Sequence, residues 1–91
     1  MQPSKEEIIR LGLSAQLLLE NPTFVSVMNE IATGLAIRWA ATKPGEIKQR
    51  EDMHLLLQGI NSVRDELRYR VEAKVKAESD VARAERRKKE I

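Results

Sequence analysis

The residues best equipped for chemistry sit in one short stretch, "REDMHLLL", from Arg50 to Leu57. His54 is the single histidine of the chain. On a helix it lies close to Glu51 and Asp52, and an imidazole beside carboxylates is the arrangement of a general base. Glu51 and His54 are three residues apart, which also matches the Glu-x-x-His spacing of metal sites in helical bundles. Both readings need more than this stretch supplies. Nucleophilic catalysis would need a serine or cysteine set beside the base. The sequence contains no cysteine, and no serine stands in a recognisable motif. A metal would need further carboxylates or imidazoles from a second helix. The preceding helical segment offers only Glu30 near its middle, on its polar side. The four glycines, at 12, 34, 45 and 59, are isolated from one another, so no phosphate-cradling loop is present. The sequence therefore assigns no catalytic residue, no cofactor and no metal, and reads His54 as a polar residue at the edge of a helical seam.

The second chemical feature is the ending, "SDVARAERRKKEI". Arg83, Arg86, Arg87, Lys88 and Lys89 are phosphate-seeking residue types, and cations in such number release counterions from nucleic acid. Local roles explain much of the same pattern. Glu78, Asp80, Glu85 and Glu90 are interleaved with the cations. Glu85 precedes Lys89 by four, the favourable order for a helix pair. Cations at a helix C-terminus also oppose the helix dipole. No aromatic residue follows Tyr69, so base stacking is not on offer in the tail. The net charge is only +2, although residues 76–91 carry six cations against four anions. A dedicated nucleic-acid domain shows a larger excess on one face. Trp39, the one tryptophan, reads as a cap on the small core, with an exposed anchor for a partner as the alternative.

At 91 residues the chain is one domain at most, with a core too small for much stability alone. Hydrophobic residues are 42% and charged residues 33%, which fits neither a disordered nor a membrane composition. No apolar run approaches the roughly 18 residues that span a bilayer. Residues 76–91 also lack the bulky apolar face of a membrane-surface helix. The start, "MQPSKEEIIRLGL", has neither the basic segment nor the cleavage site of a secretory signal. Absence of cysteine fits a reducing cytosol or the interior of an assembled particle.

The punctuation predicts three helices. Ser4 with Glu7 forms a capping box and opens a helix over about 4–20. Its apolar face is Ile8, Ile9, Leu11, Ala15, Leu18 and Leu19. "LLLENP" stops it and starts the next at once, with Asn21 as N-cap and Pro22 in the first turn. That second helix runs over 22–41, with Phe24, Met28, Ile31, Leu35 and Trp39 on one stripe. Gly34 inside it either permits close approach of another helix or is merely tolerated. "TKPGE" is the second corner, with Thr42 as the expected cap. A third helix over 44–90 follows, roughly 70 Å long at 1.5 Å per residue. Met53, Leu56, Ile60, Val63 and Leu67 mark its seam, continued less regularly by Val71 and Val75. The expected fold is all-α. Residues 1–75 form a small helical domain: the second helix lies antiparallel to 46–68 and the first crosses both. Residues 76–91 form a charged helical arm with nothing to pack against.

Residues 18–67 carry a further pattern: Asn21, Pro22 and Phe24 at a helix start, Trp39 before the Thr42–Pro44 corner, then Arg50 and Glu51 leading into Leu55–Leu57. This stretch resembles a class of small helical proteins encoded by tailed bacteriophages and prophages. The resemblance implies a phage setting and an accessory role in virion assembly or structure, in a bacterial cytoplasm or within a virion. It transfers no catalytic residue.

The functional expectation is a non-enzymatic interaction module that docks on a protein partner or on copies of itself. Its long third helix would make the contact, with Val71, Val75 and Val81 as apolar points and Arg83, Arg86, Arg87, Lys88 and Lys89 setting register. A nucleic-acid-binding accessory using the same cations is the first alternative. A small inhibitor of a host protein is the second.

Overall fold

The structure is a computed structural model and describes residues 2–90. Three α-helices account for it: α1 from Lys5 to Glu20, α2 from Pro22 to Ala41 and α3 from Ile47 to Glu90. No strand occurs among the described residues. The all-α architecture with a long third helix is as the sequence predicts.

Each junction has a local chemical cause. The Glu7 amide donates to Ser4 Oγ at 3.2 Å, and the Ile8 amide donates to the Ser4 carbonyl at 3.0 Å. Ser4 thus caps the amides left free at the start of α1. The Phe24 amide donates to Asn21 Oδ1 at 3.0 Å, while Asn21 itself holds extended backbone with ψ 118°. Pro22 supplies a first helical residue with no amide to satisfy. One residue therefore separates α1 from α2.

The second corner differs from expectation. Thr42 ends α2 instead of opening α3: its amide and its hydroxyl both donate to the Trp39 carbonyl, at 3.1 and 2.6 Å. Lys43 and Glu46 then close a turn. The Glu46 amide donates to the Lys43 carbonyl at 2.9 Å, and the Lys43 amide donates to Glu46 Oε1 at 3.1 Å. The Glu46 carbonyl accepts the first helical bond, from the Arg50 amide at 3.1 Å. So α3 begins at Ile47, three residues later than the sequence predicts, because a carboxylate-closed turn occupies Thr42–Glu46.

The helices sort into two compact units. One joins Met1–Leu19 with Glu66–Ile91, and the other is Glu20–Asp65. This grouping departs from a division at residue 75. The first helix belongs with the second half of α3. It lies against that half where Gly12 meets Arg70 and Lys74. Residues 76–90 are accordingly not bare, since Ala77 is buried and Asp80, Val81 and Ala82 are half-buried. Alanines and a valine make a seat for a helix whose own buried residues are Gly12 and Ala15. Small residues on both sides allow the two backbones to approach closely.

In the second unit α2 runs antiparallel to the first half of α3. Trp39 lies by Arg50, Leu35 shares a hollow with Met53 and Leu57, and Asn29 bonds Arg64. Leu35 is buried, and Phe24 and Met28 are half-buried. The matching residues of α3 are Met53, Leu57, Ile60 and Arg64. Leu56 and Val63, expected in this seam, are 58% and 48% exposed. Arg64 takes the position Val63 was expected to fill. Its guanidinium reaches Asn29 Oδ1 at 2.9 Å, which lets its aliphatic stem lie in the seam while its charge stays hydrated. Met53 and Ile60 thus keep their expected places while Leu57 and Arg64 replace Leu56 and Val63, a displacement of the contact stripe by less than the about 100° of one residue.

Candidate docking surface

His54 and its neighbours come first. His54 is exposed, with Nε2 3.2 Å from the Gln58 side-chain nitrogen one turn on. It sits at the edge of a hollow of about 250 Å³ lined by Leu35, Ala36, Trp39, Met53 and Leu57. Glu51 and Asp52 are exposed. No group of three or more His, Asp or Glu residues that could hold a metal ion occurs among the described residues. Trp39 is 44% exposed, and the Arg50 guanidinium stacks 4.5 Å from its ring centroid. The ring is therefore partly covered, with a cation over one face, an arrangement worth about 0.5–1 kcal/mol at an exposed site.

The residues expected to bind a partner lie on the second half of α3. Val71 and Val81 are half-buried, in the unit that α1 completes, and Val75 is 59% exposed. Arg83, Arg86, Arg87, Lys88 and Lys89 are all exposed on the last turns. Successive residues step 100° around a helix, so these five cations spread around α3 and do not line one face. Nearby charges pair along single helices: Lys74 with Glu78 at 2.8 Å and Arg70 with Glu66 at 3.3 Å. Pairs at this spacing along one helix contribute little, about 0.2–0.5 kcal/mol each.

An apolar opening lies elsewhere, within the α2–α3 pair. It is a groove of about 630 Å³ lined by Met28, Leu55, Leu56, Gly59, Ile60 and Val63, with Asp52 at one end. Its position follows from the seam. One residue back from Met53, Leu57, Ile60 and Arg64 are Asp52, Leu56, Gly59 and Val63, a row rotated to one side of the contact with α2. The hollow beside Trp39 lies on the other side, one residue forward, at Ala36 and His54. By the same step Val27 and Ile31 fall on the groove side of α2, and each is 46% exposed. The groove face therefore presents partly exposed apolar side chains from both helices.

Gly59 stands in the floor of this face, inside a 44-residue helix. Glycine there costs about 1 kcal/mol against alanine. A Cβ built at Gly59 would meet nothing within 4 Å, and the same holds at Gly34. Gly12 is the opposite case. A Cβ there would collide with Lys74 Cβ and approach the Arg70 carbonyl oxygen to 2.6 Å.

No helix among the described residues is long and apolar enough to cross a membrane. Comparison with protein-family models, with curated proteins and with solved structures finds no match.

Proposed function

We propose that this chain is a non-enzymatic helical docking module that completes its apolar burial against another polypeptide. One observation carries the reading. Leu35 is the only bulky side chain buried among the described residues, the other buried hydrophobics being Ala15 and Ala77. Meanwhile Leu55, Leu56 and Val63 on α3 and Val27 and Ile31 on α2 stand roughly half or more exposed on one side of a helix pair. Two helices in contact bury one stripe each, and a second apolar stripe needs a further layer. Contiguous exposed apolar surface of this kind marks interaction sites. The groove beside Leu56 is the main contact in this reading, and Val75 on α3 is a secondary one. The likeness of residues 18–67 to small proteins of tailed phages supports a role in virion assembly or structure, in a bacterial cytoplasm or within a virion.

The test is a photo-crosslinking amino acid at position 56, in cells that carry the gene. A covalent adduct with one discrete polypeptide is expected, whether another copy or a different protein. Absence of any adduct at 56, with none at a second probe placed at 75, refutes the docking role.

A further inference from the structure

We infer that the groove on α3 seats a second copy of this chain, packed antiparallel about a two-fold axis near residue 57. The inference rests on the docking role proposed above and names its occupant. An isologous interface must carry a ridge and the notch that receives it on the same patch. This face has both. Leu55 and Leu56, 63% and 58% exposed, form the ridge, and Gly59, one turn further on, forms the notch. Two α3 helices crossing antiparallel near residue 57 lay Leu55 and Leu56 of each copy over Gly59 of the other.

Gly59 leaves room for a close-packed helix as the occupant. It weakens its own helix, and nothing among the described residues takes advantage of the missing side chain. The chain shows at Gly12 what a helical glycine does when another helix is present: the neighbouring main chain moves into the space a methyl group would fill. Gly59 offers the same opening on the floor of an apolar groove. Charge does not oppose the pairing. Asp52, at the end of the groove, is five residues from the axis, which keeps the two copies' carboxylates roughly 15 Å apart along the helices. That is beyond the ~8 Å screening length at physiological salt.

The area sets the strength. A crossing helix covers about half of the open parts of Leu55, Leu56, Val63, Ile31 and Val27, roughly 200–300 Å² of apolar surface per copy. Adding a polar rim gives roughly 400–500 Å² per copy, at the low end of specific interfaces. The pair is therefore a concentration-dependent dimer, not a permanent one.

Sedimentation from micromolar to millimolar protein tests this. The wild-type chain is expected to pass from the mass of one chain to that of two. Gly59→Leu fills the notch and should move the midpoint at least tenfold higher in concentration, with helical circular dichroism retained. Gly59→Ala, whose methyl meets nothing in the single chain, should weaken the dimer several-fold while raising thermal stability at low concentration. Gly45→Ala, in the turn before α3 and away from the groove, should leave the midpoint unchanged. A wild-type chain that stays monomeric at every concentration overturns the inference, and so does a Gly59→Leu chain that dimerises like wild type. A monomeric wild type whose position 56 crosslinks to a different protein overturns the self-pairing and leaves the docking role standing.

Discussion

Replacing Gly12 by alanine drives a methyl group into the backbone of α3. The new Cβ overlaps Lys74 Cβ, comes within 2.6 Å of the Arg70 carbonyl oxygen and lies 3.1 Å from Lys74 Cδ. The lysine Cδ is the flexible end of a side chain and can swing aside. The Arg70 carbonyl cannot, because it belongs to the hydrogen-bonded core of a helix. Relief therefore needs α1 to move outward by roughly 1 Å, to ordinary contact distance. That shift loosens Ala15, which is buried, and Ile8, Leu11 and Leu19, which are half-buried. Overpacking costs about 1–3 kcal/mol, and a clash with main chain falls in the upper part of that range, about 2–3 kcal/mol, while the better helix propensity of alanine returns about 1 kcal/mol. The net loss expected for α1 docking is about 1–2 kcal/mol, a factor of about 5–30 in its opening equilibrium. Hydrogen exchange reads this directly. Amides of residues 9–19 should exchange about 5–30 times faster in Gly12→Ala, while amides of α2 and of residues 50–62 keep their wild-type rates. Unchanged exchange in α1, with a midpoint of thermal unfolding at or above wild type, would refute the close contact between α1 and α3.

Three further outcomes follow from the same geometry. Asn21→Ala removes the acceptor for the Phe24 amide and should cost about 1 kcal/mol in urea unfolding, whereas Asn21→Ser should retain most of it. Gly34→Ala adds a methyl group into open space and should stabilise α2 by up to about 1 kcal/mol, seen as a rise of about 4–8 °C in the thermal midpoint. On the docking account, removal of residues 83–91 leaves association through the groove intact, and the full chain shows no duplex-DNA binding at about 50 mM salt. DNA binding that falls steeply between about 50 and 200 mM salt, and is lost with those residues, would instead favour a phosphate-gripping tail.

The helices were legible because their ends are written in side chains. Ser4 and Asn21 accept amides at the positions their spacing predicts, and Pro22 stands where a missing amide costs nothing. Thr42 was legible as a cap but not as the cap of which helix. A threonine hydroxyl bonds backward to Trp39 as readily as forward, and the Glu46 carboxylate, not the threonine, organised the turn into α3. The packing was less legible. "LLL" at 55–57 points apolar side chains in three directions 100° apart. Periodicity alone does not say which of them faces α2, and Arg64 in the seam conceals the answer behind a charge. The seat of α1 was hidden for a different reason. Gly12, Ala15 and Ala77 contribute closeness, not hydrophobic bulk, so a search for large apolar residues passes over them. The groove had one readable signal, Leu56 and Val63 seven residues apart with Gly59 between them, but it became a surface only once α2 had taken the adjacent row.

The most direct test of the docking account is residue-level carbene footprinting of the protein in extract from its own cells, compared with the purified chain at low concentration. Leu55, Leu56 and Val63 should label strongly in the dilute chain, as their exposures of 63%, 58% and 48% require, while buried Leu35 does not. In the extract the same three residues should be protected, with Tyr69, outside the groove, unchanged. Equal labelling of Leu55, Leu56 and Val63 in both samples would mean that nothing covers the groove where the protein works, and would contradict the account.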